Sequence, residues 1–517
     1  MARGTGEGRA ASFGRVVVSR GVSVNWMEED PGLPIKFGPC SNGEYEPEPL
    51  QPVIRETIRR ARQDCGRNAR RIGLSRREFL LSLCGAATTL LALDACTREA
   101  TREKSPGATP GGGYSSIPPE ATHEPDAARE AIGGEEFVFD IQGHLLEYDL
   151  NPILNGQDFW QRFPQQGCGE SDPRVCFSID NFMELMFLRS DTSMLVLSAL
   201  PIYPRGSPMS IEIMEETRRI AEGLCRDERV LLHAQVLPNV GVLQDNLAAM
   251  EDVVDRYPIV AWKTFTLFPD VDDQSGNGWW LDDHERGVPR VGEEFIRKAI
   301  DLGRPTICAH KGFSRTSRFG TPADVGRAAK EHRDANFVVY HSGFEAGIPE
   351  GPYTRTTKNV GINRLVTSMK EHGIGPNENV YAELGSTWWY VMKYPTQAAH
   401  VLGKLFKFVG QDNVVWGTDC LFYGSPQDQI QALRSFHISE EFQHRYGYPE
   451  LTKELKAKIL GLNGAKLYAV DPITTKCRFS RRELEEIRKH LPGKNRTLGP
   501  TSSAEVSALR NAHQGMP

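Results

Sequence analysis

Apolar runs and amphipathic stretches alternate along residues 137–470. Short runs rich in Val, Leu, Ile and Phe fall at 137–141, 194–200, 230–237, 259–262, 305–309, 337–340, 380–384 and 414–417. Between them, apolar residues recur at helical spacing over 211–224, 295–302, 322–332, 360–372 and 396–409. Short, continuously apolar runs mark strands buried on both faces, and amphipathic helices between them are the crossovers of a parallel sheet. The pattern predicts an α/β fold, a (β/α)8 TIM barrel. An open doubly wound sheet is the structural rival. It would want a Gly-rich phosphate turn after the first strand, where this chain has Gln142-Gly143-His144.

The predicted strands end on reactive residues: Gln142 and His144 on the first, Lys263 on the fourth, His310 on the fifth, His341 on the sixth, Glu383 on the seventh and Asp419 on the eighth. A barrel keeps its chemistry at the C-terminal ends of its strands, so these side chains are expected around one mouth. Imidazoles and a carboxylate converging from different strands suit a catalytic Zn2+ or similar ion with one position left for water. Taken alone, a strand-end histidine such as His233 reads as a hydrogen-bonded core or rim residue.

The net charge of -6 is small for 517 residues and the basic residues are scattered, which argues against a nucleic-acid footprint. Ten cysteines without a CxxC pair give neither a disulfide scaffold nor structural zinc. Cys168 and Cys176, on the insertion after the first strand, can close a disulfide in an oxidising compartment. Residues 1–74 have weak periodicity and read as a poorly ordered, disordered leader with a basic amphipathic stretch over 53–71; Met27 offers a second start. Residues 75–96 look like a twin-arginine export signal: Ser75-Arg76-Arg77-Glu78-Phe79-Leu80, then an apolar run too short for the ~20 residues of a permanent membrane span. The alternative is a buried N-terminal helix. Leu93-Asp94-Ala95-Cys96 resembles a lipoprotein cleavage box with Cys96 lipidated, although Asp94 departs from it. Residues 97–134 read as a flexible linker, 135–470 as the barrel, and 471–517 as a C-terminal helix and tail.

The barrel segment resembles the amidohydrolase superfamily, in particular the amidohydrolase-related branch that includes aminocarboxymuconate-semialdehyde decarboxylase. The resemblance lies in Asp140-Ile141-Gln142-Gly143-His144, Cys308-Ala309-His310-Lys311-Gly312, Tyr340-His341-Ser342-Gly343, Trp416-Gly417-Thr418-Asp419 and Gly461-Leu462-Asn463-Gly464-Ala465-Lys466-Leu467-Tyr468. It implies a barrel of the metal-dependent hydrolase type, with His144, His310 and Asp419 holding one divalent ion, zinc or manganese, and with His341 catalytic. Asn463 is expected to pack the final helix. The family usually carries His-x-His on the first strand, and Gln142 replaces the first histidine with a weak neutral ligand. Three explanations stay open: one ion with Gln142 as a weak ligand or behind the ligands, a carboxylated Lys263 as ligand, or loss of the metal. For Lys263 the plainer reading is an ion pair, with Glu383 as partner.

Under the resemblance Asp419 takes a proton from the attacking water and His341 polarises the substrate carbonyl, giving a hydrolase; the same groups permit a non-oxidative decarboxylation. The competing class is an exported, catalytically impaired barrel that binds a ligand or partner. Trp279-Trp280 and Trp388-Trp389-Tyr390 lie on mouth-side loops and suit a small aromatic substrate, with Glu383 beside them and Lys263, Lys311 or Arg315 available to a carboxylate. The expected partners are a small-molecule substrate, the twin-arginine machinery, a membrane only through a lipid on Cys96, and a second copy in a homodimer. The expected location is the periplasm or cell envelope.

Overall fold

The computed structural model describes residues 32–104, 111–145, 176–200, 209–267, 278–314, 317–472 and 477–490. Its main sheet has eight parallel strands in chain order: β2 (Phe139–Gly143), β3 (Met194–Ser198), β4 (Val230–Gln235), β5 (Ile259–Phe265), β6 (Thr306–His310), β7 (Asn336–Tyr340), β8 (Val380–Glu383) and β9 (Val414–Val415). The last strand returns to the first: Ile141 N–H donates to Trp416 O at 3.0 Å, and Asp419 N–H to Gln142 O at 3.0 Å. Helices Ile211–Cys225, Leu243–Arg256, Gly292–Asp301, Val325–Glu331, Asn363–His372 and Pro395–Phe408 occupy the crossovers, so the TIM barrel read from the apolar pattern is the fold. Inside it, Phe139, Ile141, Val196, Ala261, Cys308, Val338, Tyr340 and Val415 fill a core layer below the mouth. Asn463 donates to Gln411 O at 2.9 Å and Val414 O at 2.8 Å, tying the helix Asn463–Tyr468 to β9.

The structure departs from the sequence reading ahead of the barrel. Residues 52–71, expected to be poorly ordered, form helix α1 (Pro52–Arg71), which starts on a proline and buries Ile54, Thr57, Ala61, Cys65 and Ala69. That spacing is one helical face, set against a surface of arginines. Ser75 caps the short α2 (Arg76–Leu80) in a capping box with Glu78. The apolar run read as a signal core continues into α3 (Leu83–Lys104), packed on α1. Cys96 is buried there, 3% exposed. The stretch expected to be a flexible linker contributes the end of α3, then β1 (Gly113–Ser115), antiparallel to β10 (Phe436–Ile438), and α4 (Pro125–Ile132). Ile117, Ala121, Ala128 and Ile132 anchor it in the core, and burial of these residues is what a tether lacks. Residues 1–31, Met27 included, lie outside the described residues. No helix among the described residues is long and apolar enough to cross a membrane.

A disulfide joins Cys225, at the end of its helix, to Cys477, ahead of the helix Arg481–His490. Cys176 is also disulfide-bonded, and its expected partner Cys168 lies outside the described residues.

Candidate metal centre

Parallel strands point alternate residues inward, so residues two apart at one strand end face the barrel axis together. Gln142 and His144 do so at the end of β2, where both meet Asp419 from beyond β9. His144 Nε2 lies 3.0 Å from Asp419 Oδ1, and Gln142 Nε2 donates to the same oxygen at 3.1 Å. His310 closes β6 and His341 follows β7, with ring centroids 4.7 Å apart.

A second carboxylate completes the group, and it comes from outside the barrel. Residues 33–50 cross the mouth as a strap, and Glu44 Oε1 lies 2.9 Å from His310 Nε2 while Oε2 lies 3.8 Å from His341 Nε2. The ligand atoms of Glu44, His310 and His341 are all within 4.8 Å of one another. Asn42 Nδ2 bridges the two acids, donating to Glu44 Oε2 at 2.6 Å and Asp419 Oδ2 at 2.8 Å. Ser386 Oγ also donates to Asp419 Oδ2. Asn42, Glu44 and Ser386 escaped the sequence reading. The available signal was Ser41-Asn42-Gly43-Glu44, a polar turn between the apolar Ile35, Phe37 and Tyr45.

The proton positions test whether a cation fits. His144 Nδ1 is 2.6 Å from Ser198 O, and His341 Nδ1 is 2.8 Å from Gly385 O. A carbonyl oxygen only accepts, so each ring holds a proton on Nδ1; Nε2, turned toward a carboxylate oxygen, either carries a second proton as an imidazolium or presents a lone pair to a metal ion. Carbonyl-oriented imidazoles are how metal-ligating histidines are held. Burial pushes His310 down to about 3 and His341 down to about 4, so both are neutral at physiological pH. Burial raises the Asp419 carboxyl, but hydrogen bonding and charge from His144, with help from His341 and Ser386, hold it well below the ordinary range. Burial pushes Glu44 up to about 7 against the pull of His341, with the charge of Asp419 adding to the rise. Gln142 Oε1 is buried without a hydrogen-bond partner among the described residues, and a Cβ at Gly385 would strike it. The group that the structure holds within one ion's reach is Glu44, His310 and His341, whose carboxylate and two imidazoles fit a divalent ion; of the expected trio it contains His310, while His144 and Gln142 pair with Asp419 beside it, linked through Asn42.

The backbone is strained here. His341 (φ 62), Ser342 (φ 54), Ser386 (φ 54) and Asp419 (φ 59) all sit in the left-handed region, which costs each non-glycine residue on the order of 1 kcal/mol. Two buried acids brace these turns. Glu383 accepts from His341 N–H at 2.9 Å and from Gly385 N–H, and Asp140 accepts from Gln142 N–H at 3.0 Å and Thr418 N–H at 3.1 Å. Burial raises Glu383 to about 8 and Asp140 to about 7.

Several expected substrate contacts are corrected. Glu383 spends its carboxylate on backbone N–H groups. Lys311 is buried and pairs with Asp324 at 2.7 Å, also donating to Phe319 O at 2.9 Å. Trp388 is fully buried and donates to Gln429 O at 2.9 Å; Trp389 stacks on Tyr423 at 4.4 Å. Trp279 packs edge-on against Phe295, and Trp280 donates to Glu285 Oε2 at 2.9 Å. These indoles were read as mouth walls because they follow strand ends, but their area goes into core packing. Arg315 lies outside the described residues. The rings that face the site are Phe265 against His310 (5.1 Å), Phe313 against His341 (5.1 Å) and Phe422 against His144 (5.9 Å). Lys263 does not form the expected pair with Glu383: its buried Nζ has no hydrogen-bond partner among the described residues and sits 3.2 Å from the centroid of the Tyr340 ring. His233 is a core residue, with Nδ1 3.0 Å from the Tyr340 hydroxyl.

Fold and site thus define the class: an eight-stranded parallel barrel whose C-terminal mouth gathers imidazoles and carboxylates as an ion would need them. Residues 270–470, the part of the chain that carries β6 to β9, match the amidohydrolase family model Amidohydro_2. No curated protein matches the chain in sequence. Similar solved structures include an uncharacterized TIM-barrel protein from Bordetella bronchiseptica (12% identity, TM-score 0.43, covering 65% of this chain and 98% of that one). A 2,6-dihydroxybenzoate decarboxylase from Rhizobium shares 13% identity (TM-score 0.37, 65% and 99% covered). A dihydroxybenzoic acid decarboxylase from Polaromonas, solved with bound manganese and 2-nitroresorcinol, shares 12% identity (TM-score 0.34, 65% and 97% covered).

Proposed function

We propose that this protein is a metal-dependent hydrolase or non-oxidative decarboxylase of the amidohydrolase-related kind, acting on a small carbonyl or carboxylate substrate with an apolar, planar body. The observation that carries the reading is the way His144 and His341 are held, each with Nδ1 on a backbone carbonyl and Nε2 turned toward a carboxylate oxygen, as metal-ligating histidines are. Such a contact is satisfied by a proton on Nε2 or by a metal ion, and the neutral state that burial imposes on His341 favours the metal ion. By the resemblance His144, His310 and Asp419 would hold the ion, zinc or manganese, with Gln142 Oε1 as a weak further donor; the group whose ligand atoms lie within 4.8 Å of one another shares His310 with that set. A divalent ion there would supply Lewis acidity toward water or a carbonyl oxygen at neutral pH. Asp419, kept ionised, accepts the proton released at the substrate. His341, with Nδ1 committed to Gly385, orients the substrate oxygen through Nε2. Phe265, Phe313 and Phe422 wall the apolar body, and the Lys263 ammonium offsets part of the charge of Asp419, Glu44 and Glu383.

The test is a panel of aromatic carboxylates, lactones and amides, assayed with and without a chelator. Chelator-sensitive release of CO2 or of a hydrolysis product supports the reading. Turnover unaffected by thorough chelation of a metal-free preparation would sink it.

We also propose export by the twin-arginine route to the periplasm or cell envelope. Two features support this: the Ser75-Arg76-Arg77-Glu78-Phe79-Leu80 segment, and the Cys225–Cys477 disulfide, which suits an oxidising compartment. Fractionation of cells expressing R76K/R77K should find the variant retained in the cytoplasm; unchanged export would refute the route.

A further inference from the structure

We propose that Glu44 is itself a ligand of the ion, so that the metal centre is completed by a strap that precedes the barrel in sequence. The inference rests on the metal reading above and asks where the missing ligand strength comes from, given that Gln142 offers only an amide oxygen.

The strap is built into the mouth at both ends. On one side Lys36 N–H donates to Asp428 Oδ2 at 3.1 Å and its Nζ to Ser425 O at 2.7 Å, while Ile35, Phe37 and Cys40 are buried. On the other, the Tyr45 hydroxyl donates to Cys40 O at 3.0 Å and its ring stacks on Phe313 at 5.2 Å. Between these anchors the chain turns tightly. Ser41 Oγ donates to Tyr45 O at 2.6 Å, Glu44 N–H donates to Asn42 Oδ1 at 3.0 Å, and Gly43 takes φ 91, a conformation that a side chain would strain.

This turn fixes the Asn42 amide. With Oδ1 committed to the backbone, Nδ2 faces the acids and takes up Glu44 Oε2 and Asp419 Oδ2. Both carboxylates therefore have their outer oxygens occupied and their inner oxygens set against imidazole nitrogens, Glu44 Oε1 at 2.9 Å from His310 and Asp419 Oδ1 at 3.0 Å from His144. Ligand atoms around a tetrahedral ion with bonds of about 2.0–2.1 Å stand about 3.3 Å apart, so both contacts are close to ligand-to-ligand edges. A carboxylate also restores the negative charge that Gln142 lacks. Cleavage ahead of Cys96 would part Glu44 from the barrel, so lipidation at Cys96 and a strap-completed centre exclude each other in one covalent chain.

The test uses the full chain, stripped of metal, titrated with Co2+ and with Zn2+, the Co2+ visible spectrum reporting coordination. Wild type should bind one ion. E44Q, equal in size, should weaken binding at least about tenfold and alter the Co2+ spectrum, with E44A doing the same or more, while the metal-free proteins melt together. If E44Q binds Co2+ and Zn2+ as wild type does, with the same spectrum, the strap is no ligand and the metal reading stands; faster turnover by such a variant would make the strap a plug. If wild type binds no ion, both proposals fall.

Discussion

Replacing Lys263 by methionine should stabilise the metal-free protein at neutral pH. The side chain is 1% exposed, its Nζ lacks a hydrogen-bond partner among the described residues, and its compensation is the faces of Tyr340 at 3.2 Å and Phe265 at 4.9 Å together with the more distant charges of Glu383, Asp419 and Glu44. Such cation–π contacts return about 2 kcal/mol when desolvated, less than the cost of burying an ammonium. Burial accordingly lowers Lys263 from 10.5 to about 8. A lowered folded-state value means that between pH 8 and 10.5 the folded chain binds fewer protons than the unfolded one, so stability rises with pH across that window. Below pH 8 the full cost applies: 10.5 minus 8 is 2.5 units, on the order of 3 kcal/mol. Glu383 has the opposite sign, being raised from 4.5 to about 8, and its contribution is complete above pH 8. Lys393 and Lys456, also lowered to about 8, add the same slope to both proteins, so the share of Lys263 above pH 8 is the difference between wild type and variant. Methionine keeps the length and removes the charge. Urea unfolding of metal-free wild type and K263M should show the variant ahead by about 2–3 kcal/mol at pH 7, with the gap closing toward pH 10.5. A variant less stable at pH 7, or a gap independent of pH, would refute a bare buried ammonium and favour a carboxylated or paired lysine.

Three further outcomes follow from particular contacts. K311M should lose about 3–5 kcal/mol of stability in urea, because Asp324 stays buried without its cation; a change confined to substrate affinity would return Lys311 to the substrate site. Reducing Cys225–Cys477 should raise amide exchange over residues 481–490, where Leu484 is buried, and leave β6 and β7 protected; equal protection would make the bridge redundant. Intact-mass analysis of active exported protein should find residues 33–50 still present, and an active species beginning at Cys96 would contradict the role given to the strap.

The barrel was legible because each apolar run breaks at a residue the mouth uses. β6 ends on His310 itself, and His341 begins the turn after β7, so periodicity and chemistry changed at the same place. The strap left no such mark. Glu44 reaches His310 across 266 positions through a turn with no period, and the apolar residues that fasten it, Ile35, Phe37 and Tyr45, are too few to read as an element. Helix α1 was visible as an amphipathic stretch, but its arginines hid how completely its other face is covered by α3. The core of α3 was ambiguous for a physical reason: a buried helix and an export signal both need an uninterrupted apolar run. Lys311 and the tryptophans were misread because position at a strand end says where a side chain starts, not what it packs against. Asp324, thirteen residues beyond Lys311, and Gln429, far from Trp388, claim them first.

Metal content by mass spectrometry, on purified full-length protein expressed with ample zinc and manganese, tests the central claim most directly. Expected is about one ion per chain in wild type, lost in H144A and in H310A while both variants remain folded by circular dichroism. Wild type that takes up no ion, or variants that keep theirs, would contradict it.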